Sequence, residues 1–488
     1  MEKIKRTLFF WSLVLIFCIV TPIIVFQAKG YRFDWHRGVF VFSGTISFKA
    51  NPQNISAQLN GVLSENKRIN RINGAFNISG LLPDDYNLKI SAPDFYPWDK
   101  KIDVHSGITS EFWNVVLTRT NYESTKYEAT LGIEKFFTSP KNDFMAYTQT
   151  TDNELSVKIL ELDNSNIVGT YLLPDWKLLA DEKKENIEWS PEENYLSVPV
   201  ENNATSNYYI IDLSAKNLTN LNEFFGKNDI KNVRWDPKEK GYFFFLDNNT
   251  LFRGNISDKN YLAIIAENTS AFELSYDSVY YIQLPNNLIF KTSLDGKKER
   301  TQITDNFPGA ADSIISRIII YDESRIAFLD QAKNLFIYNN ATRDEYFKLI
   351  GNNVLEMHFS NDGKKLLFWT ANEISVYFTR DWDVQPIRKE NDLQNITRYF
   401  EPLQNIQWYK DYEHVIFSVG KYTKLIELDP RDHRNCSDLI NTEIESPFIN
   451  YNHGLEKLFF TNIENGQLIL NSINFPEATT ILDTFVGG

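Results

Sequence analysis

The stretch His358-Phe359-Ser360-Asn361-Asp362-Gly363-Lys364-Lys365-Leu366-Leu367-Phe368 sets the architecture of this chain, because imperfect copies of it recur along the C-terminal three quarters of the sequence. Taken locally, it is a hairpin: an aromatic, a polar turn, then a run of strand formers. Asn361 and Asp362 can hydrogen-bond their own backbone and Gly363 accepts positive φ, so the chain reverses there without strain. The flanking aromatic and aliphatic residues are the types that fill a half-buried pleated surface.

Upstream copies are Phe137-Thr138-Ser139-Pro140 leading to Phe144-Met145-Ala146-Tyr147, Trp189-Ser190-Pro191 leading to Tyr195-Leu196-Ser197-Val198, and Trp235-Asp236-Pro237 leading to Tyr242-Phe243-Phe244-Phe245. Weaker copies stand at Tyr276-Asp277-Ser278 and Tyr321-Asp322-Glu323, and two more follow at Trp408-Tyr409-Lys410-Asp411 and Tyr451-Asn452-His453-Gly454. Their spacing averages about 45 residues, the upper edge of the range for a four-stranded propeller blade. Several copies continue into a second strand-like run, among them Tyr208-Tyr209-Ile210-Ile211, Leu335-Phe336-Ile337-Tyr338, Ile374-Ser375-Val376-Tyr377 and Leu425-Ile426-Glu427-Leu428. One such meander cannot bury both faces alone, whereas radial stacking buries them and leaves only short edges.

The pattern resembles the TolB-like and WD-type β-propellers, whose Phe-Ser-Pro-Asp-Gly-Lys-x-Leu strand-turn motif is close to Phe359-Ser360-Asn361-Asp362-Gly363-Lys364-Lys365-Leu366. Eight copies predict eight blades across residues 131–486, or seven if one copy is an insertion, with residues 122–131 or 481–485 supplying the closing strand. Stacked β-sandwiches are the competing architecture. Composition supports an all-β chain: aromatics make up 14% of 488 residues, with 24 Tyr and 36 Phe against 3 Met. Asn is abundant, which suits turn-rich connections.

The N-terminus reads differently. Lys3, Lys5 and Arg6 precede an apolar run, residues 8–26, that opens at Leu8 and closes at Phe26. About 20 apolar residues span a bilayer as a helix, and the basic residues place residues 1–7 in the cytoplasm and the bulk of the chain outside it. Trp11 at one end and Tyr31 and Trp35 beyond the other are placed for the headgroup level. A cleaved signal peptide is the alternative, since Ala28 and Gly30 have small-x-small spacing. A lipoprotein reading centred on Cys18 fits poorly, because Phe17 precedes it and the apolar run continues past it.

After a juxtamembrane segment, residues 27–43, alternating apolar and polar residues from 44 to 118 predict a small β-sandwich: Thr45-Ile46-Ser47-Phe48-Lys49, Ala57-Gln58-Leu59, Ala75-Phe76-Asn77-Ile78, Tyr86-Asn87-Leu88-Lys89-Ile90, Lys101-Ile102-Asp103-Val104 and Phe112-Trp113-Asn114-Val115-Val116-Leu117. Leu59-Asn60-Gly61, Leu81-Leu82-Pro83-Asp84-Asp85-Tyr86, Asp94-Phe95-Tyr96-Pro97-Trp98 and Ile102-Asp103-Val104-His105-Ser106-Gly107 resemble the PEGA domain family, a β-module of prokaryotic extracytoplasmic proteins. Two family turns are replaced, by Pro52-Gln53-Asn54-Ile55-Ser56-Ala57 and by residues 65–70. The resemblance implies an envelope-facing spacer or binding module and names no ligand. Residues 119–130 read as a polar linker.

The net charge of −14 is spread along the chain without a dense Lys/Arg face, which excludes the electrostatic footprint of a nucleic-acid binder. Only Cys18 and Cys436 are present, so no disulfide framework arises. Among the histidines, His36, His105, His358, His414, His433 and His453, none stands in a metalloprotease motif, and no nucleophile elbow, P-loop or dinucleotide fingerprint occurs. His358, His414 and His453 read as packing or turn residues. The richest polar cluster, Asp429-Pro430-Arg431-Asp432-His433-Arg434-Asn435-Cys436, reads as a surface loop; Asp429, Asp432, His433 and Cys436 are metal-ligand types but show no ligand spacing. Asp143, Asp152 and Asp163 suit turns better than a calcium loop. The sequons Asn203-Ala204-Thr205 and Asn340-Ala341-Thr342 follow from the Asn-rich composition.

The expectation is a non-enzymatic, single-pass, membrane-anchored binding or scaffold protein of the cell envelope. It has no catalytic, cofactor or metal residues to name, its ligand-binding residues are unknown, and its partner is an envelope protein or polysaccharide. An envelope hydrolase or lyase with its site in the propeller funnel is the alternative. A signalling receptor would need a partner in the membrane, because residues 1–7 offer no output domain.

Overall fold

The computed structural model describes residues 2–64, 67–69, 73–179, 187–202, 205–310, 313–340 and 345–476. The expected closing strand at residues 481–485, and parts of the turn at 65–70 and of both sequons, lie outside the described residues.

An α-helix, α1 (Glu2–Ala28), carries the apolar run, and its large side chains are exposed all round, from Leu8 at 69% to Phe26 at 42%. It is long and apolar enough to cross a membrane, a property that a spanning helix and a signal sequence share. A two-stranded hairpin follows, β1 (Tyr31–Asp34) and β2 (Val39–Phe42).

Eight further strands form two four-stranded sheets. One has the order β10 (Thr109–Val116), β3 (Gly44–Asn51), β7 (Phe76–Leu81), β6 (Lys67–Ile69); the other runs β5 (Val62–Leu63), β4 (Ser56–Leu59), β8 (Asp84–Ser91), β9 (Trp98–Val104). Ile46, Phe48, Phe76, Ile78, Leu88, Ile90, Trp98, Ile102, Val104 and Phe112 from both sheets make one core. These are the inward positions of a period-two pattern, so the alternation in the sequence translates directly into the packing.

Beyond residue 119, the described residues form eight antiparallel sheets, seven of four strands and one of five. Each follows its predecessor in sequence, and the last borrows Thr125–Tyr127, which pairs with Gln467–Asn474 at the other end of the chain. The closing strand therefore comes from residues 122–131, and the ring is joined by hydrogen bonds between chain ends. This is β-propeller architecture, in which the sheets close into a ring and only short outer edges remain. Apolar clusters lie between neighbouring sheets, such as Leu367, Trp369, Val376, Ile406, Trp408 and Val415 between the sixth and seventh.

The repeated tryptophan has a geometric reason. The indole N–H of Trp189 donates to the Phe137 carbonyl at 3.2 Å, that of Trp235 to the Glu188 carbonyl at 3.0 Å, and that of Trp408 to the His358 carbonyl at 3.2 Å. Each reaches from the first strand of one sheet to the first strand of the sheet before it, and so latches neighbours while burying a large ring. In the fourth and fifth sheets the anchor position differs from the expected one. Tyr276 and Tyr321 lie outside the core, 74% and 39% exposed: Tyr276 falls in the turn after its strand ends at Leu274, and Tyr321 falls in a register shift of its strand between Ile320 and Asp322.

The stretch 358–368 is the first hairpin of the sixth sheet. Ser360 closes it: its backbone N–H donates to the Lys365 carbonyl at 2.8 Å and its Oγ accepts from the Lys365 N–H at 3.0 Å. Asp362 Oδ1 accepts from Ser360 Oγ at 2.6 Å and from the Lys364 N–H at 3.0 Å. Burial alone would raise the Asp362 pKa, but these donors hold it below the usual carboxylate value. Gly363 sits at φ +63°, and a Cβ there would meet the Tyr321 ring of the preceding sheet. Lys365 is a fully buried cation: its Nζ bonds the Tyr412 carbonyl and the Glu413 carboxylate and lies 4.0 Å from the Trp382 ring centre. Arg388, also buried, reaches the same Glu413 at 3.3 Å. Charge complementarity thus joins the sixth sheet to the seventh.

Candidate functional site

The polar cluster 429–436 connects the third and fourth strands of the seventh sheet, Tyr422–Glu427 and Cys436–Asn441. It is a clamp around one lysine of the sandwich. Lys100, 1% exposed, donates from Nζ to the carbonyls of Asp429 at 3.1 Å, Arg431 at 2.8 Å and His433, and pairs with Glu427 Oε1 at 2.7 Å. The other Glu427 oxygen accepts from Trp98 Nε1 at 2.8 Å. Asn435 and Asp99 exchange hydrogen bonds, and Asp432 Oδ2 accepts from the Lys101 N–H at 2.9 Å. Arg431 stacks on Phe112 at 3.8 Å and donates to the Glu111 carbonyl at 2.7 Å.

The four ligand-type side chains of this loop do not converge. Asp429 is held by Arg431 in a bidentate pair, which keeps it below the usual carboxylate value against the upward push of burial. Asp432 pairs with His433 at 2.9 Å, and Cys436 faces the Tyr399 hydroxyl at 4.0 Å. Among the described residues no group of three or more His, Cys, Asp or Glu could hold a metal ion. Alternation contained the signal for the clamp: Lys100 shares a face with the buried Trp98 and Ile102, a position where an unpaired ammonium is too costly to persist.

Gln385, in the corresponding connection of the sixth sheet, also grips the sandwich, through the Thr109 carbonyl and the Glu111 N–H, each at 3.0 Å. In a four-stranded meander the first and third connections share one end, while the second connection and the link to the next sheet share the other. The sandwich therefore occupies the first-and-third face, and the second-connection face points away from it.

That outward face is where the abundant Asn residues act. Asp152 and Asn153, Asn248 and Asn249, and Asn465 with Gly466 take positive φ in its hairpin turns, as tight two-residue connections require, and Asn287 does so at the end of a four-residue one. Phe400 stands fully exposed there, on a link whose carbonyls at residues 399 and 400 accept from Asn372 Nδ2 at 3.1 and 3.0 Å. A polar cleft of about 780 Å³ lies between the first and second sheets, lined by Asn153, Asp175, Lys177, Glu201, Asn202, Thr205 and Ser206 among others.

The first strands carry charges that the motif search did not single out. Arg234 of the third sheet pairs with Glu188 of the second and Glu273 of the fourth, each at 3.2 Å. Arg317 of the fifth pairs with Glu356 of the sixth at 3.1 Å. Glu188 and Arg234 each directly precede a tryptophan anchor, whereas Glu273, Arg317 and Glu356 stand three or four positions before Tyr276, Tyr321 and Phe359, so no single offset marks the set. The histidines keep structural places: His414 is buried with Nδ1 2.7 Å from Asp411 Oδ2, His358 packs on Trp369 at 5.5 Å, and His453 sits among Tyr412 and Tyr451. Asp143, Asp152 and Asp163 fall in turns or bends. His36 follows the first hairpin strand, and His105 lies 3.5 Å from Asp103.

No family model matches the sequence, and no curated protein does. Solved structures do. Hsv2 from Kluyveromyces lactis is 10% identical, with a TM-score of 0.42, 64% of this chain and 99% of that one covered. The β-propeller domain of Cps50 (Swd1) from Myceliophteria thermophila is 12% identical, with a TM-score of 0.40, 70% of this chain and 99% of that one covered. A eukaryotic initiation factor is 12% identical, with a TM-score of 0.44, 70% of this chain and 88% of that one covered. At such distances the propeller assignment rests on the strand order and the closing strand.

Proposed function

We propose that the chain is a membrane-anchored binding scaffold whose outward propeller face takes a partner outside the cytoplasm. In this reading α1 is retained as the anchor with its N-terminus cytoplasmic, residues 44–118 form a spacer of the PEGA type, residues 119–124 cross over, and a propeller of eight blades, one per sheet, runs from its closing strand Thr125–Tyr127 onward. The observation that carries it is the clamp. A buried Lys100 with four acceptors fixes the sandwich to one face, which leaves the other face rigidly presented away from the anchor.

The partner chemistry follows from that face. Its cleft is lined by amides, hydroxyls and charges of both signs, which suits a hydrated chain, either a polysaccharide or an extended polar protein segment, and Phe400, on the link between the sixth and seventh sheets, offers a separate aromatic anchor on the same face. The first-strand carboxylates Glu188 and Glu273 are both engaged by Arg234, and Glu356 by Arg317, which favours binding over hydrolysis or lysis. The test is the full chain in nanodiscs against glycan arrays and envelope extracts. Saturable binding without turnover, weakened by Glu201→Lys and Phe400→Asp, is expected. Turnover of a defined polymer that is lost in Glu188→Gln or Glu273→Gln would overturn the scaffold reading.

A further inference from the structure

The hairpin that follows α1 has one side built of aromatic rings. Register places Tyr31 opposite Phe42 and Phe33 opposite Phe40, so all four share a face. Tyr31 and Phe42 meet edge-on at 5.1 Å, as do Phe33 and Phe40 at 5.2 Å. Although in contact with one another, Phe40 and Phe42 stay 40% and 41% exposed, Val39 is 50% exposed and Trp35 at the tip is 85% exposed. A water-facing hairpin would not place so much apolar surface at its tip and edge.

Two facts say what covers it. The first is depth: Phe26, the last residue of the apolar run, stacks on Phe40 at 5.2 Å and meets Tyr31 at 5.6 Å. The hairpin therefore folds back to the level where the apolar helix ends, and it is held there by Ser43, whose N–H and Oγ both donate to the Gly30 carbonyl. The second is charge. In a chain of net charge −14, this segment carries Lys29, Arg32 and Arg37 against Asp34 alone. Asp34 is turned inward, 7% exposed, and accepts from the N–H groups of His36 and Arg37; the Arg37 Nε lies 3.5 Å from its other oxygen, while the Arg37 side chain as a whole stays 65% exposed. Arg32 faces the sandwich side, beside Gly80.

We propose that residues 31–42 are a second membrane contact, an aromatic and basic foot seated in the headgroup layer of an anionic bilayer. Trp35, Phe40 and Phe42 enter the interface, where amphipathic rings prefer to sit, and Lys29 and Arg37 meet lipid phosphates. The foot stops the anchor from acting as a free swivel and, through the Ser106 Oγ bond to the Phe42 carbonyl at 3.0 Å, passes that orientation to the sandwich. This inference rests on α1 being a retained membrane anchor.

The experiment uses the full chain reconstituted in vesicles of phosphatidylcholine alone or with phosphatidylglycerol, and lipids carrying a doxyl quencher near the headgroup or deep in the acyl chain. The difference between wild type and Trp35→Phe isolates the Trp35 emission. The expected result is a blue-shifted Trp35 component, quenched more by the shallow doxyl than by the deep one, with quenching that rises with phosphatidylglycerol and loses that rise in Lys29→Gln/Arg37→Gln. Flotation after an alkaline carbonate wash reports the anchor separately. A protein that floats but whose Trp35 is unshifted and unquenched overturns the foot and leaves the anchor standing. A foot signal that appears only when two copies associate at high protein density also overturns it. A protein that is stripped by the wash overturns both.

Discussion

Replacing Lys100 by Met tests the clamp between sandwich and propeller. Methionine keeps the length and most of the volume of the lysine stem but removes the ammonium. The Glu427 carboxylate loses its ion pair at 2.7 Å and keeps only Trp98 Nε1 and the two Asn435 donors, while the carbonyls of Asp429, Arg431 and His433 lose a shared donor in a dry site. Breaking one side of a buried pair costs about 3–5 kcal/mol. At about 1.4 kcal/mol per factor of ten, local opening of the interface becomes roughly 10² to 10³·⁵ more frequent. Hydrogen exchange on the full chain reads this directly at the Lys101 amide, which donates to Asp432, and at the Asn435 amide, which donates to Glu427. Acceleration confined to these amides and their neighbours, partly reversed when Glu427→Gln is added, is the expected outcome. Acceleration below about tenfold would refute the reasoning, because it would place the ammonium's net contribution near that of an exposed pair.

Gly363→Ala is expected to lower stability by about 1–3 kcal/mol, from positive φ and from the clash with Tyr321, and Tyr321→Ala should recover part of the loss in thermal unfolding. Trp408→Phe removes one inter-sheet hydrogen bond of 3.2 Å and is expected to cost about 0.5–1.5 kcal/mol plus the lost ring area, read from the urea midpoint. The buried Asp411–His414 pair gives a pH signature. Burial opposes the His414 charge, yet Asp411 at 2.7 Å, with Glu427 and Glu413, holds its pKa above the ordinary 6.5. Burial likewise would raise Asp411, yet His414 and nearby donors hold it below 3.8. The histidine contribution is complete below pH 6.5 and is lost as pH rises through the raised folded value; the aspartate contribution is complete above pH 3.8 and is lost as pH falls through the lowered one. His414→Gln should therefore flatten the alkaline limb of stability against pH, and an unchanged limb would assign it to another group.

Much of the architecture was readable because its physics is local. The turn at Asn361, Asp362 and Gly363, the alternation in β3, β8 and β9, and the apolar run of α1, interrupted only by Ser12 and Thr21, each follow from neighbours a few residues apart. The anchor offsets at Tyr276 and Tyr321 were misplaced for a related reason: an aromatic next to an aspartate looks alike in a strand and in the turn after it, and only pairing with the second strand separates them. The site was harder. Alternation puts Lys100 on the buried face of its strand, but its acceptors at residues 429–435 come to it across more than 300 positions, and Arg234 acquires its meaning only once the second and fourth sheets flank it. Long-range pairing of charges leaves no short motif. Asn-rich turns did leave one, but it marked hairpins all round the ring and so could not say which face was free.

The most direct test of the scaffold reading places a photo-crosslinking residue at Phe400 on the outward face and, in a second protein, at Asn435 within the clamp, each in the full chain expressed in cells. The Phe400 probe is expected to capture a partner outside the cytoplasm, and the Asn435 probe to react only within the chain, with β9 of the sandwich. Partner capture at Asn435, or labelling of Phe400 from the cytoplasmic side, would contradict it.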